Sequence, residues 1–435
     1  MKTGANRVAV IGAGWAGCAA AVQATRRGHS VTVFEASRTP GGRARRVDVA
    51  SNGQTDATTL ALDNGQHILI GAYRDTLQLM ADVGVDVPAS LYRMPLTMQF
   101  PDGSGLKLLR IPAPLDALAG ILRASGWSWS DKLSLLKTAW LWQQCNFVCP
   151  THQSVADLCS DLSPRVMTTL IEPLCVSALN TPAERASGVV FLRVLRDSMF
   201  AAQGSSNLLL PRVDLSALLP DAALAWLAAH GGAAHLGVRV QGMSHHQGGA
   251  WQLTAATSAA LGLYDSVILA CPALEAARLV QGTGLPSEDW LAETRALQYE
   301  AIATVYALAP GCHLAQPMLA LPSNTGQPAQ FVFDRGQLGG PAGLLAFVIS
   351  ASHHSSAELA EQIAAQAKAQ LGIMDLNVLQ TVVEKRATFA CTPALRRPPQ
   401  HIAAGLTACG DYTAGPYPAT LEGAVRSGLA AANLL

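Results

Sequence analysis

A short run near the start of the chain constrains its fold more than any other feature. "RVAVIGAGWAGCAAAVQATRRGHSVTVFEAS" divides into an apolar strand at 8–11, a glycine-rich turn, an alanine-rich helix over 18–27 ended by Gly28, and a second strand at 31–34 closed by Glu35. The turn Gly12-Ala13-Gly14-Trp15-Ala16-Gly17 reads GxGxxG. In that spacing Gly12 makes the tight turn, Gly14 lets the backbone approach a pyrophosphate, and Gly17 lets the helix pack close to the strand. The helix start, with Trp15 and Ala16, offers free N–H groups and a partial positive charge to phosphates. An acid about 20 residues past the motif is placed for ribose hydroxyls, the role expected of Glu35, with Ala36 beside it. GxGxxG alone is a weak signal. Strand, turn, helix, second strand and acid in order predict a dinucleotide-binding unit rather than a glycine-rich turn of some other α/β protein.

Composition sets the outer limits. At 435 residues the chain exceeds one ordinary core and implies two domains or one elaborated fold. Half the residues are hydrophobic and 14% are charged, which is apolar without being membrane-spanning in composition. The net charge is zero, so there is no electrostatic case for a nucleic-acid partner. Nine cysteines form no CxxC pair and no Cys/His spacing for a metal, so no metal site is expected. Scattered, odd-numbered cysteines fit a reducing, cytoplasmic compartment. Lys2 and Arg7 ahead of the uncharged run 8–24 imitate a signal peptide, but the spaced glycines interrupt it. No other stretch reaches the roughly 18 clean apolar residues of a membrane-spanning helix. The histidine pairs in 244–249 and 350–356 read as polar loops, because adjacent side chains on a strand diverge and no carboxylate stands at ligand spacing.

After Glu35 comes "ASRTPGGRARR". Gly41-Gly42-Arg43 sets a second flexible turn and a cation beside the same phosphates, more than a plain NAD unit needs. This resembles the FAD-dependent amine oxidase and phytoene desaturase superfamily, whose members carry a GGR-type segment just after the ribose-binding acid. The resemblance implies FAD as cofactor. It also implies an α/β fold: a Rossmann-like FAD-binding domain of the glutathione reductase/amine oxidase type with an inserted α+β substrate domain.

It further implies that the C-terminal "LTACGDYTAGPYPATLEGAVRSGLAAANLL" returns to the first domain. Gly410 and Asp411 would lie by the ribityl and phosphate end of the flavin. Ala419, Thr420 and Leu421, at a helix start near Thr420, would face the ring. Midway, a helix over 214–230 and a strand through Val238 and Val240 would bring backbone to the adenine. A strand over 266–270 ends at Ala270-Cys271-Pro272. The FAD domain would then comprise 1–75, 206–280 and 400–435, and the substrate domain 76–205 and 281–399.

Asp63-Asn64-Gly65-Gln66-His67 lies between the apolar runs "TTLAL" and "ILIG". A polar turn so placed demands hydrogen-bond partners. Together with "GAGWAG", "TLEGAVRSG" and "IEPLCVSALNTPAERAS", it resembles the hydroxysqualene dehydroxylases, also described as squalene-associated FAD-dependent desaturases, over nearly the whole chain. The resemblance implies a reductive dehydroxylation in bacterial squalene and hopanoid biosynthesis: a hydrophobic C30 allylic alcohol loses its hydroxyl and gains a hydride. The protein must protonate the leaving hydroxyl and keep water from the cation. Gly65, Gln66 and His67 would approach the flavin. Acid candidates are His67, Tyr412, Tyr417 and Glu172, each with a packing role as the competing reading; the residue types alone do not choose. An electron donor is implied that no motif names. Competing functions are an oxidative carotenoid or polyprenyl desaturase, an amine oxidase, and a prenyl-binding chaperone of the GDP-dissociation-inhibitor type. The complete set of dinucleotide motifs argues against the last.

"IPAPLDALAGILRASGWSWSDKLSLLKTAWLW" holds two helical runs. Leu115, Leu118, Ala119 and Leu122 share a face, as do Leu133, Leu136, Ala139 and Trp140. Trp127, Trp129, Trp140 and Trp142 cluster there with Arg123, Lys132 and Lys137. Two readings compete: a peripheral surface at the inner face of the membrane, or helices lining the substrate tunnel or core. The second is the simpler expectation.

Overall fold

The computed structural model describes residues 6–50, 59–112, 114–246, 249–256, 259–352 and 355–435. Lys2, of the signal-like segment, and the pair His353-His354 lie outside the described residues. Of the other pair, His245 ends a strand, Val240–His245, and packs edge-on against Trp251, so that segment is only partly a loop.

Five strands build a parallel sheet: β1 (Arg7–Ile11), β2 (Ser30–Glu35), β3 (Ala233–Leu236), β4 (Ser266–Leu269) and β5 (Leu406–Ala408). Their order is β3-β2-β1-β4-β5, with His401–Ala403 antiparallel on the outside of β5. Parallel strands covered on both faces carry continuous apolar runs. Accordingly Val8, Ala9, Val10, Val267, Ile268 and Leu269 are fully buried. Helix α1 (Trp15–Arg26) follows β1 and packs against the C-terminal helix Leu421–Asn433. The two approach so closely that a Cβ on Gly428 would stand 2.1 Å from the Ala16 carbonyl oxygen. The ends of the chain are thus one packed unit.

A five-stranded antiparallel sheet forms the second layer, in the order Met318–Ala320, Phe331–Asp334, Leu344–Ser350, Tyr299–Leu308, Asn377–Phe389. Period-2 alternation splits its side chains between two cores. Val305, Phe347 and Ile349 meet helix Ser356–Leu371. Tyr306, Phe333 and Ala346 join the largest apolar cluster, with α2 (Leu115–Arg123), α3 (Trp129–Gln144) and α4 (Gly188–Met199).

Three expectations are corrected. The helix over 214–230 is two pieces, Leu215–Leu218 and Pro220–Ala229. Pro220 has no N–H to continue the ladder and restricts the residue before it, and Leu219 leaves helical geometry at φ −148°. Val238 and Val240 do not share one strand. The chain turns at Gly237, in the left-handed region at φ +74°, so that β3 joins the parallel sheet while Val240 opens a strand of a separate three-stranded antiparallel sheet. The third correction concerns α2 and α3. Leu115, Leu118 and Leu122 are 57%, 42% and 42% exposed, and Trp129, Leu133 and Trp140 are 68%, 61% and 57% exposed. Ile121, Leu135, Trp127 and Trp142 face the core instead. Both helices are apolar on two sides, and periodicity does not say which side meets the protein.

Candidate functional site

The three motif glycines divide their work in space. Gly12 has φ +113°, and a Cβ there would meet the Ala270 carbonyl oxygen at 2.6 Å. A Cβ on Gly17 would lie 1.9 Å from the Gly12 carbonyl oxygen. Those two positions are closed by the protein itself. A Cβ on Gly14 would meet nothing within 4 Å. The open space over Gly14, at the start of α1, is where a phosphate can be met by backbone N–H groups. Trp15 and Ala16 are buried beside it, and the Trp15 indole donates to the Ala44 carbonyl at 3.0 Å. Glu35 ends β2, and its carboxylate accepts from the Ala13 and Ser37 amides, both at 2.7 Å. That fixes it at the strand end beside the glycine turn, with Ala36 exposed next to it.

The second glycine turn is pinned to the first: the Gly41 amide donates to the Ala13 carbonyl at 2.8 Å. Arg43 leaves that turn and reaches the C-terminal segment, donating to the Asp411 carboxylate at 2.5 Å and the Ala387 carbonyl at 2.7 Å. Asp411 is buried. Gly410 before it donates its amide to Ser427 Oγ of the C-terminal helix. Thr420 caps that helix, accepting from the Gly423 amide at 3.0 Å, after Ala419 and before Leu421. The "GGR" and "GD" segments therefore meet through one ion pair across 368 residues. These residues fit a flavin dinucleotide on two observations: the cradle open over Gly14, and the Tyr412 phenol oxygen, buried with no hydrogen-bond partner in the protein.

The polar turn has the partners it demands. The Asp63 carboxylate accepts from the Leu215 amide, and its carbonyl accepts from the Tyr306 hydroxyl. Burial pushes the Asp63 carboxyl up to about 6. The Gln66 amide donates to Thr304 Oγ1. His67 Nδ1 is 2.9 Å from the Gly65 carbonyl. Burial lowers the His67 pKa, the Gly65 contact opposes this, and the Arg43 guanidinium adds to it, so the imidazole is neutral at neutral pH.

Beyond the turn, Ile68 and Ile70 open onto an apolar cavity with about 1080 Å³ of empty space, counting the part open to solvent. Met98, Phe191, Leu195 and Leu208 line its far walls, and Tyr73, Tyr417, Thr420 and Glu422 form a polar end at the start of the C-terminal helix. Its largely apolar lining, with a few polar groups among it, suits an apolar ligand that carries a polar group. At that end the Tyr417 hydroxyl donates to Asp197 at 2.8 Å and accepts from Arg426 at 2.9 Å. The guanidiniums of Arg193 and Arg426 sit over its ring, 5.2 and 5.1 Å from the centroid. Burial raises the Tyr417 pKa; the Asp197 hydrogen bond adds to this, while Arg193 and Arg426 oppose it. Burial also pushes Asp197 up, but hydrogen bonds from Arg193 and Tyr417 outweigh it and leave the carboxylate low and ionised. Burial raises Glu422, which accepts from the Thr76 hydroxyl and the Asp75 and Thr76 amides.

Of the acid candidates, Tyr417 alone lines this cavity. Glu172 opens the helix Glu172–Leu179 and lines a different, more open cavity with Asp102 and Glu184; burial and Glu184 raise its pKa. Tyr412 is buried against Gly410 and does not line this cavity. The sequence reading missed Asp197, Arg193 and Arg426 as a set. Arg193 and Asp197 are four apart on α4 and could have been read as a pair, but their meeting with Tyr417 spans 220 residues.

Comparison with known proteins identifies the family. The family described as flavin containing amine oxidoreductase matches residues 15–435. A hydroxysqualene dehydroxylase of Rhodopseudomonas palustris is 31% identical, over 98% of both chains. One of Zymomonas mobilis is 28% identical, also over 98% of both. The crystal structure of an oxidoreductase from Methanosarcina mazei superimposes with a TM-score of 0.72 at 18% identity, over 98% of this chain and 99% of that one, which is a likeness of fold. The chain is a flavin-dependent oxidoreductase of the amine oxidase superfamily and belongs there to the hydroxysqualene dehydroxylase family.

Proposed function

We propose that this chain reductively removes the hydroxyl of hydroxysqualene to give squalene, with FAD as cofactor, in bacterial squalene and hopanoid biosynthesis. The observation that carries the reading is the apolar cavity ending in polar groups at the start of the C-terminal helix, on the side of the cradle. The names of the relatives supply the substrate. Residues 1–75, 206–280 and 400–435 would hold FAD, and 76–205 and 281–399 the substrate. Gly12, Gly14, Trp15, Ala16, Gly17, Gly42 and Arg43 take the pyrophosphate; Glu35 and Ala36 take the ribose; Val240 and Ala270 lie on the adenine side. Gly410 and Asp411 take the ribityl and phosphate end of the flavin, and Gly65, Gln66, His67, Ala419, Thr420 and Leu421 border the ring. When bound and reduced, FAD supplies a hydride.

The chain's own residues do the rest. The apolar walls orient the hydrocarbon and exclude water. The Tyr417 hydroxyl, turning its proton from Asp197 to the leaving oxygen, gives it up as the C–O bond breaks with its electron pair on oxygen, so that water departs and the carbon takes the hydride. Arg193 and Arg426 offset the charge of the phenolate left behind against burial and the neighbouring Asp197 carboxylate, and the phenolate regains a proton from solvent before the next turnover. An external reductant must return two electrons per turnover. His67 is neutral and serves better as a cofactor contact than as an acid.

The test is anaerobic. The reduced protein is mixed with hydroxysqualene, and squalene is sought by mass while flavin absorbance is followed. Squalene formed with flavin reoxidised is the expected result. A flavin spectrum without squalene, but with new double bonds formed from a polyprenyl substrate by the oxidised protein, would shift the reading to a desaturase. Tyr417→Phe should lower kcat by roughly 10²–10⁴-fold with flavin content unchanged; unaltered kcat removes Tyr417 as the acid.

A further inference from the structure

The outward faces of α2 and α3 need an explanation that the reaction does not give. Six large apolar side chains, Leu115, Leu118, Leu122, Trp129, Leu133 and Trp140, are each 42% or more exposed. Single exposed apolar residues are ordinary, but six on two adjoining helices form a patch. The stripes are continuous: Lys132 Nζ donates to the Leu122 carbonyl at 2.8 Å and lies 5.2 Å from the Trp129 ring centroid.

Charge then selects the partner. Within 107–150 the exposed charges are Lys107, Arg110, Arg123 and Lys137, with Lys132 half-buried. Both acids of that stretch are buried and used internally. Asp131 completes the capping box of α3, and Asp116 accepts from the Ala117 amide. Among the described residues of this stretch every exposed charge is positive. A second copy of the chain, docked face to face, would set cations against cations. An anionic bilayer surface complements both features, since acyl chains take Trp and Leu and headgroups take Lys and Arg. The far end of α3 leads toward the cavity: Phe147, just after α3, packs on Phe200 at 4.9 Å, next to cavity-lining Met199.

We infer that the α2–α3 face is a peripheral membrane-binding surface that seats on anionic lipid with Trp129, Leu133 and Trp140 inserted. The inference stands on exposure and charge and does not require the proposed reaction. No spanning segment is invoked: among the described residues no helix is long and apolar enough to cross a membrane.

The test is co-sedimentation of the flavin-loaded protein with phosphatidylcholine vesicles, with and without phosphatidylglycerol. Wild type should partition more strongly onto the anionic vesicles. Trp129→Ser/Leu133→Ser/Trp140→Ser should lose affinity about a hundredfold, the loss expected from three half-inserted apolar side chains. Its flavin spectrum and circular dichroism should be unchanged. Arg123→Gln/Lys137→Gln should lose about thirtyfold on anionic vesicles and nothing on neutral ones, with about 1 kcal/mol lost per cation. Equal sedimentation of wild type and both variants overturns the inference. So does a concentration-dependent dimer that the triple variant abolishes while vesicle affinity stays put, which would assign the face to a second copy.

Discussion

The glycine-turn unit at the two ends of the chain and the half that holds the apolar cavity are built on opposite principles. In the cradle, backbone approaches backbone, and the decisive residues are those with no side chain: Gly17 against Gly12, Gly428 against Ala16. In the half around the cavity, side chains make the surfaces, and what matters is which side of a helix they occupy. A cradle of that kind is intolerant at single positions, because a carbonyl oxygen cannot move aside. A side-chain wall absorbs change by repacking and loses binding or rate by degrees.

The sharpest way to break this comparison is within the cradle itself. Gly17→Ala should cost more than about 4 kcal/mol and prevent folding, since its Cβ meets the Gly12 carbonyl at 1.9 Å. Gly14→Val should leave a folded but colourless protein, because its side chain points into open space that a pyrophosphate needs. Thermal melting with and without added FAD separates the two; a yellow Gly14→Val protein would break the dinucleotide assignment. Next in size is the cavity wall. Phe191 is fully buried, and Phe191→Ala should cost about 3–5 kcal/mol in denaturant unfolding and raise KM more than it lowers kcat. A KM left unchanged would remove α4 from the substrate site.

Asp63 sits where the two halves meet. Its folded pKa is about 6, above the ordinary 3.8, because it is buried. The folded state therefore holds the proton more tightly, and stability falls as pH climbs from about 4 to about 6, with the full cost present above that. Asp63→Asn keeps an acceptor for the Leu215 amide and removes the charge. It should gain about 2–3 kcal/mol at pH 8 and little at pH 4. A stability gain independent of pH would contradict the raised pKa. The smallest effect belongs to the tie between the ends of the chain. Asp411→Asn should weaken FAD binding about tenfold, as it loses the charge-assisted bond from Arg43. Flavin titration reads this, and Arg43→Gln should match it and add little in the double variant.

How far each half could be read from the sequence follows the same division. The strand, turn, helix and acid around Gly12–Gly17 are local, fixed by spacing within about 30 residues, and the structure keeps them, the helix simply beginning earlier, at Trp15. The helix over 214–230 splits because Pro220 sits inside its apolar periodicity and breaks the ladder there, which the pattern of apolar residues does not register. Trp127, Trp129, Trp140 and Trp142 looked alike in sequence, yet the structure buries two and exposes two. Helix periodicity gives faces, not their partners.

By itself, the sequence determined the glycine-turn unit at the start of the chain, because glycines, cap residues and an acid at fixed spacings act through local backbone geometry. It also carried the family, through motifs at both ends and in the middle of the chain. Only the tertiary structure decided where the polar end of the cavity lies. Tyr417, Asp197, Arg193 and Arg426 come from two helices and a loop whose separation along the chain carries no signal, and they meet only once α4 has packed beside the C-terminal helix. It decided, too, which face of α2 and α3 turns outward, because burial belongs to the neighbours a helix finds and not to the helix alone.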